Sequence, residues 1–138
     1  MMKEILPKEA YEILENQNGA VLIDVRSTME YEYVGHPLNA LHVPIKQPPG
    51  WETDLDFVKN VNSVLKGSLS KSTGLTDVPL LMLCRSGARS ALAAELLINE
   101  GYTNVYNVLE GFEGDKDDEG HRNTINGWRF HNLPWEQS

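Results

Sequence analysis

The run Leu80-Leu81-Met82-Leu83, ending in Cys84, constrains this chain more than any other feature. It is the most hydrophobic strand candidate in the sequence. Val21-Leu22-Ile23-Asp24-Val25 has the same character, broken by a single carboxylate, as in a strand buried on both faces of a parallel sheet. Ala40 to Pro44 and Asn104 to Val108 are further short strand candidates.

Helical patterns lie between these runs. Pro7 suits a first helical position, and Ala10, Ile13 and Leu14 form one apolar face before Asn18-Gly19 turns the chain. Ser27-Thr28-Met29-Glu30 has capping-box spacing, which predicts a helix from Ser27 that Gly35 ends. Pro48-Pro49-Gly50 continues neither helix nor strand. Asp54 to Leu65 reads as a helix with Leu55, Val58, Val61, Val64 and Leu65 at helical spacing and Gly67 as its stop. Ser68 to Asp77 reads as a polar loop. A nearly all-apolar helix follows from about Gly87 to Glu100, closed by Gly101. Strands alternating with helices predict an α/β fold with a parallel sheet. In such sheets ligands bind beyond the carboxyl ends of the strands, where Asp24, Cys84 and Gly111 fall.

The chain has 138 residues, the size of one domain, spanning 1–138. No apolar run approaches a membrane span, and Met1 to Pro7 lacks a signal-peptide pattern, so the expected location is cytoplasmic. A net charge of -8 argues against a nucleic-acid partner, because phosphate backbones require a basic surface. With one cysteine there is neither an internal disulfide nor a resolving thiol, so an active Cys84 works alone or passes its cargo to another molecule.

The loop Cys84-Arg85-Ser86-Gly87-Ala88-Arg89-Ser90 joins a strand end to a helix start. Backbone N–H groups at a helix start are unpaired and favour an anion. Two arginines add positive charge, and together these favour the reactive thiolate. Gly87 lets the backbone turn inward without a Cβ in the way.

Cys84 to Arg89 resembles the six-residue active-site loop of the rhodanese superfamily. The resemblance extends in order through Leu22-Ile23-Asp24-Val25-Arg26, Glu30-Tyr31, Gly35-His36, Ala40, Val43-Pro44, Val108-Leu109-Glu110-Gly111, Trp128 and Leu133-Pro134-Trp135. It implies a rhodanese-like domain: a central, mostly parallel sheet of about five strands with helices on both faces. It also implies a sulfurtransferase. Cys84 takes a sulfane sulfur from thiosulfate or a similar small anionic donor as a persulfide, and a thiol, cyanide or protein acceptor removes it. The amides of Arg85, Ser86, Gly87, Ala88 and Arg89 then cradle the persulfide, and Arg85 and Arg89 orient the donor, Arg89 with a two-pronged guanidinium. Asp24 and Arg26 are expected to brace the loop from behind. No metal or organic cofactor is expected.

Loop length separates this chemistry from its relatives. Cysteine phosphatases and arsenate reductases place five residues between cysteine and arginine, whereas four separate Cys84 from Arg89. The rival readings are such a phosphatase or reductase, and a sulfur-relay or sensing module acting with a protein partner. Departures from the family pattern are Pro37 and Asn39, Asn39 tolerating a left-handed backbone, and Gly111-Phe112 in place of a glycine pair. Insertions lie near 47–77 and 113–126 and border the expected site. Glu30 reads as a helix-cap partner. His36, His42, His121 and His131 show no metal-ligand spacing, and Asp115 to Glu119 does not match a calcium loop. Trp128 and Trp135 read as packing for the C-terminal segment.

Overall fold

The computed structural model describes residues 2–69 and 74–137. In chain order the elements are β1 (Lys3–Ile5), α1 (Pro7–Asn16), β2 (Val21–Asp24), a π-type turn (Glu30–Val34), β3 (His36–Pro37) and β4 (Leu41–His42). Then come α2 (Phe57–Leu69), a 3-10 turn (Leu75–Asp77), β5 (Leu80–Leu83), α3 (Ala88–Asn99), β6 (Val105–Val108) and β7 (Trp135–Glu136). Five strands form one sheet in the order β1-β6-β5-β2-β4, every pairing parallel. β3 and β7 pair antiparallel as a separate ribbon.

The apolar strands are buried because both sheet faces are covered. Val21, Ile23, Leu80, Met82 and Val105 face α2 and α3, where Phe57, Val61, Leu65, Ala93, Ala94 and Leu97 complete one core. Leu22, Leu81, Leu83 and Val108 face α1 and the C-terminal segment, where Ala10, Phe112 and Trp128 complete the other. The indole N–H of Trp128 donates to Pro134 O at 2.9 Å, so the buried ring keeps its polar atom satisfied.

Helix boundaries differ from the sequence expectation for local reasons. α2 starts at Phe57, not Asp54. The Asp54 carbonyl accepts from Phe57 N, and its carboxylate accepts from Asp56 N and the Asn60 side chain, so Asp54 terminates the loop ahead of the helix. The phase shift puts Phe57 in the core at 1% exposure and leaves Leu55 96% exposed. Gly67 does not stop this helix, which runs on to Leu69. The start of the loop expected at Ser68 is therefore helical. Residues 70–73 of it lie outside the described residues, and Leu75 is buried. The strand expected over Ala40 to Pro44 contracts to Leu41–His42. The helix expected from Ser27 is present as a short segment ending in the π-type turn, with the Ser27–Glu30 capping box formed. Asn39 adopts φ 64°, the left-handed conformation expected of it.

Core position therefore decides substitution cost. Trp128→Ala is expected to lower stability by about 3–5 kcal/mol. Leu55→Ala is expected to stay within about 0.5 kcal/mol of the parent. Urea denaturation midpoints of the two variants check both.

Candidate functional site

β5 is the central strand, and Cys84 leaves its carboxyl end. The thiol is 1% exposed and borders the α2–α3 core, yet its surroundings are not all hydrocarbon. Gly87 N–H donates to Cys84 Sγ at 3.0 Å, and Ser90 Oγ lies 3.2 Å from Sγ. Gly87 itself has φ 121°, which side-chain-bearing residues rarely adopt.

The rest of the loop is oriented through its carbonyls. Phe112 N–H donates to Cys84 O at 2.8 Å and Glu113 N–H to Arg85 O at 3.0 Å. Gly87 O accepts from Ala91 N at 3.2 Å and from the Asn107 amide at 3.3 Å. In a trans peptide the N–H points opposite to the C=O. Tying back these three carbonyls turns the N–H groups of Arg85, Ser86 and Ala88 the other way, and no described residue accepts from them. The close approach of Gly111 makes this possible, because a Cβ there would sit 2.5 Å from the Arg85 carbonyl carbon and 2.6 Å from Cys84 O.

Asn107 and Ser90 form the rear wall. Ser90 Oγ is 2.5 Å from Asn107 Oδ1 and 3.1 Å from Gly87 O. A hydroxyl has one hydrogen, and the shorter contact assigns it to Asn107. Neither residue was singled out from the sequence. The available signal was polarity inside an otherwise apolar strand and helix, where burial demands a partner.

The two arginines differ. Arg89 Nη1 and Nη2 donate to the two Glu30 carboxylate oxygens at 2.8 and 2.9 Å, so both prongs are occupied within the chain. Burial alone would raise the Glu30 carboxyl, but the Arg89 hydrogen bonds and charge outweigh it, with Ser27 donors assisting, and hold it at about 2. The same hydrogen bonds raise Arg89 above its ordinary value. Glu30 is thus more than the cap partner expected of it, since it fixes the last residue of the cysteine loop. Arg85 is exposed, and no described residue holds its guanidinium.

Asp24 and Arg26 lie beneath the loop, both fully buried. Arg26 Nε donates to Asp24 Oδ1 at 2.9 Å, and Nη2 donates to Asp24 Oδ2 and Gly35 O, each at 2.6 Å. Its guanidinium stacks 4.5 Å from the Phe112 ring centroid. The pair therefore ties the end of β2 to the residue whose N–H holds Cys84 O. Two of the histidines pack against one ring: His36 and His42 stack on the two faces of Tyr31, at centroid distances of 3.8 and 4.3 Å. In the acidic insertion Asp117 accepts from the backbone of Glu119 and His121 and from Thr124, which closes a turn.

Beside the loop is a cavity of about 510 Å³, lined by Met29, Val34, Trp51, Arg85, Arg89 and Glu113 among others; the loop's two arginines reach it, while Cys84 itself is not part of its lining. A second cavity of about 400 Å³, near the start of β2, is lined by Tyr11, Leu14, Leu38 and Trp128, and no residue of the cysteine loop borders it.

The Glu30–Arg89 pair has a pH signature. A carboxyl at about 2 in the fold, against an ordinary 4.5, contributes stability that is complete above about pH 4.5 and is lost as pH falls through about 2. Glu30→Gln should remove that acid-limb dependence. At pH 7 it should cost about 1–2 kcal/mol, discounted for solvent screening at a half-buried site. Urea midpoints at pH 3 and pH 7 test both statements.

The chain resembles known proteins along its length. The crystal structure of Rv0390 from M. tuberculosis superimposes with a TM-score of 0.82 at 34% identity, covering 99% of this chain and 98% of that one. An uncharacterised protein of Rickettsia rickettsii is 33% identical over 138 residues, 98% of each chain. The thiosulfate sulfurtransferase GlpE of Haemophilus influenzae is 31% identical over 112 residues, 81% of this chain and 86% of that one. The rhodanese-like domain family matches residues 6–118. With its all-parallel sheet and its cysteine loop at the end of the central strand, the chain belongs to the rhodanese-like family.

Proposed function

We propose that this protein is a sulfurtransferase that carries a sulfane sulfur on Cys84. The observation that carries the reading is the loop itself: an N–H on Sγ from Gly87, with the Cys84, Arg85 and Gly87 carbonyls tied back so that neighbouring amides turn the other way. Such an arrangement stabilises negative charge on sulfur with preorganised dipoles. The likeness to GlpE supports the same chemistry.

In the first half-reaction the Cys84 thiolate attacks the outer sulfur of thiosulfate. A new S–S bond forms, the old one breaks, and sulfite leaves with its electron pair, so the charge of minus three is the same on both sides. In the second, an acceptor attacks the outer sulfur of the Cys84 persulfide and the thiolate returns. With cyanide the product is thiocyanate. Cys84 is the nucleophile, and the amides of Arg85, Ser86, Gly87 and Ala88 hold the persulfide. Arg85, whose guanidinium no described residue holds, meets the anionic donor, while Arg89, clamped by Glu30, contributes charge and holds the loop. The partners are a small anionic donor and a thiol, cyanide or protein acceptor. A reducing cytoplasm suits a lone cysteine that must stay free.

Cys84→Ser should abolish thiocyanate formation from thiosulfate and cyanide while leaving the urea midpoint nearly unchanged. Turnover retained in that variant refutes the assignment. Arg85→Ala should raise the thiosulfate KM about 3- to 10-fold with a smaller effect on kcat, as expected when a charge-assisted contact to the donor is lost. An unaltered KM removes Arg85 from donor binding.

A further inference from the structure

The cavity beside the Cys84 loop, reached by Arg85 and Arg89, has room for more than an inorganic ion. At about 510 Å³ it falls within the range of about 300–1,000 Å³ typical of sites for organic ligands. Its charges nearly cancel: Arg89 is paired with Glu30, and Arg85 shares the cavity with Glu113. Apart from Ser27, the remaining walls are the apolar Met29, Val34 and Trp51. Met29 and Trp51 are 57% and 45% exposed, large apolar groups left open at the mouth.

Trp51 is held there at a cost. Its φ of 58° is left-handed, a conformation that bulky side chains rarely adopt. The loop is nevertheless well tied. Gln47 Oε1 accepts from Thr28 N at 2.9 Å, and Gln47 Nε2 donates to Thr28 Oγ1 at 2.6 Å. Trp51 N donates to Gln47 O, and Asp54 N to Ile45 O. These bonds lash the inserted loop to the segment that carries Met29, so both side chains line the same cavity.

We propose that Trp51 and Met29 form an acceptor subsite that selects a small organic thiol with a neutral, aromatic or branched apolar body. The proposal rests on the sulfurtransferase reading and names the acceptor for it. A small thiol is favoured over a protein cysteine because Cys84 is recessed, 1% exposed behind the rim, beyond easy reach of a folded surface. The outer persulfide sulfur extends about 2 Å past Sγ, one S–S bond, toward the incoming thiol. The acceptor thiolate attacks that sulfur, its new S–S bond replaces the one to Cys84, and the Cys84 thiolate departs with the electron pair. The product is an organic persulfide, and no external oxidant or reductant enters.

The test uses the intact protein loaded with thiosulfate, with benzyl mercaptan, 2-mercaptoethanol and cyanide as acceptors. Loading is read first, by intact mass. If no sulfur is gained on Cys84, the sulfurtransferase reading fails and this proposal falls with it. In the loaded protein, the kcat/KM ratio of benzyl mercaptan to cyanide should fall about tenfold in Trp51→Ala, the scale of one lost aromatic contact. It should fall less in Met29→Ala and recover in Trp51→Phe. The ratio of 2-mercaptoethanol to cyanide should move little in any of them. If both ratios are unchanged, or both fall together, the subsite is overturned while the sulfur chemistry stands. Met29→Ala changes only an exposed side chain and so remains informative if Trp51→Ala does not fold.

Discussion

The site depends on three sets of hydrogen bonds that hold the carbonyls of the cysteine loop back. Phe112 and Glu113 hold Cys84 O and Arg85 O, and Asn107 with Ala91 holds Gly87 O. Because each peptide is rigid, restraining a carbonyl also aims the N–H on its far side. The cradle is therefore made by what lies behind the loop, and its own side chains matter less. Gly111 allows the C-terminal segment to come close enough to do this.

Two ion pairs secure that arrangement from different sides. The Asp24–Arg26 pair is fully buried, and its cationic face lies on Phe112, the donor to Cys84 O. Such pairs add little net stability, but removing one partner strands a buried charge and is costly. The Glu30–Arg89 pair is only partly buried and anchors the helical end of the loop. It also neutralises a charge that would otherwise face the cavity, which leaves Arg85 as the loop guanidinium that no described residue holds. The family loop thus comes with a near-neutral, aromatic-rimmed mouth supplied by the insertion after β4.

The sequence carried much of this. β2, β5 and α3 were legible because uninterrupted apolar runs are compatible with few places in a fold, and the loop was legible because cysteine, glycine and arginine occur at a specific spacing. β1, β3 and β7 were not. They are two or three residues long and exist only through partners far along the chain, as in His36 with Glu136. Leu55 satisfied the helical period, yet Asp54 set the helix start and placed Phe57 inward instead. Cys84 and its five followers were readable as a group. The Glu30 clamp on Arg89, the Asn107–Ser90 wall and the left-handed Trp51 depend on chain crossings that no local pattern encodes.

The most direct measurement of the central claim is a backbone amide spectrum of the isotope-labelled protein before and after thiosulfate loading, in parallel with intact mass. If the loop amides receive the sulfur, the Arg85, Ser86, Gly87 and Ala88 amide protons should move downfield together as one sulfur is gained, while those of Phe112 and Glu113, already committed to carbonyls, stay in place. Sulfur gained on Cys84 with the four loop amides unmoved would contradict the account.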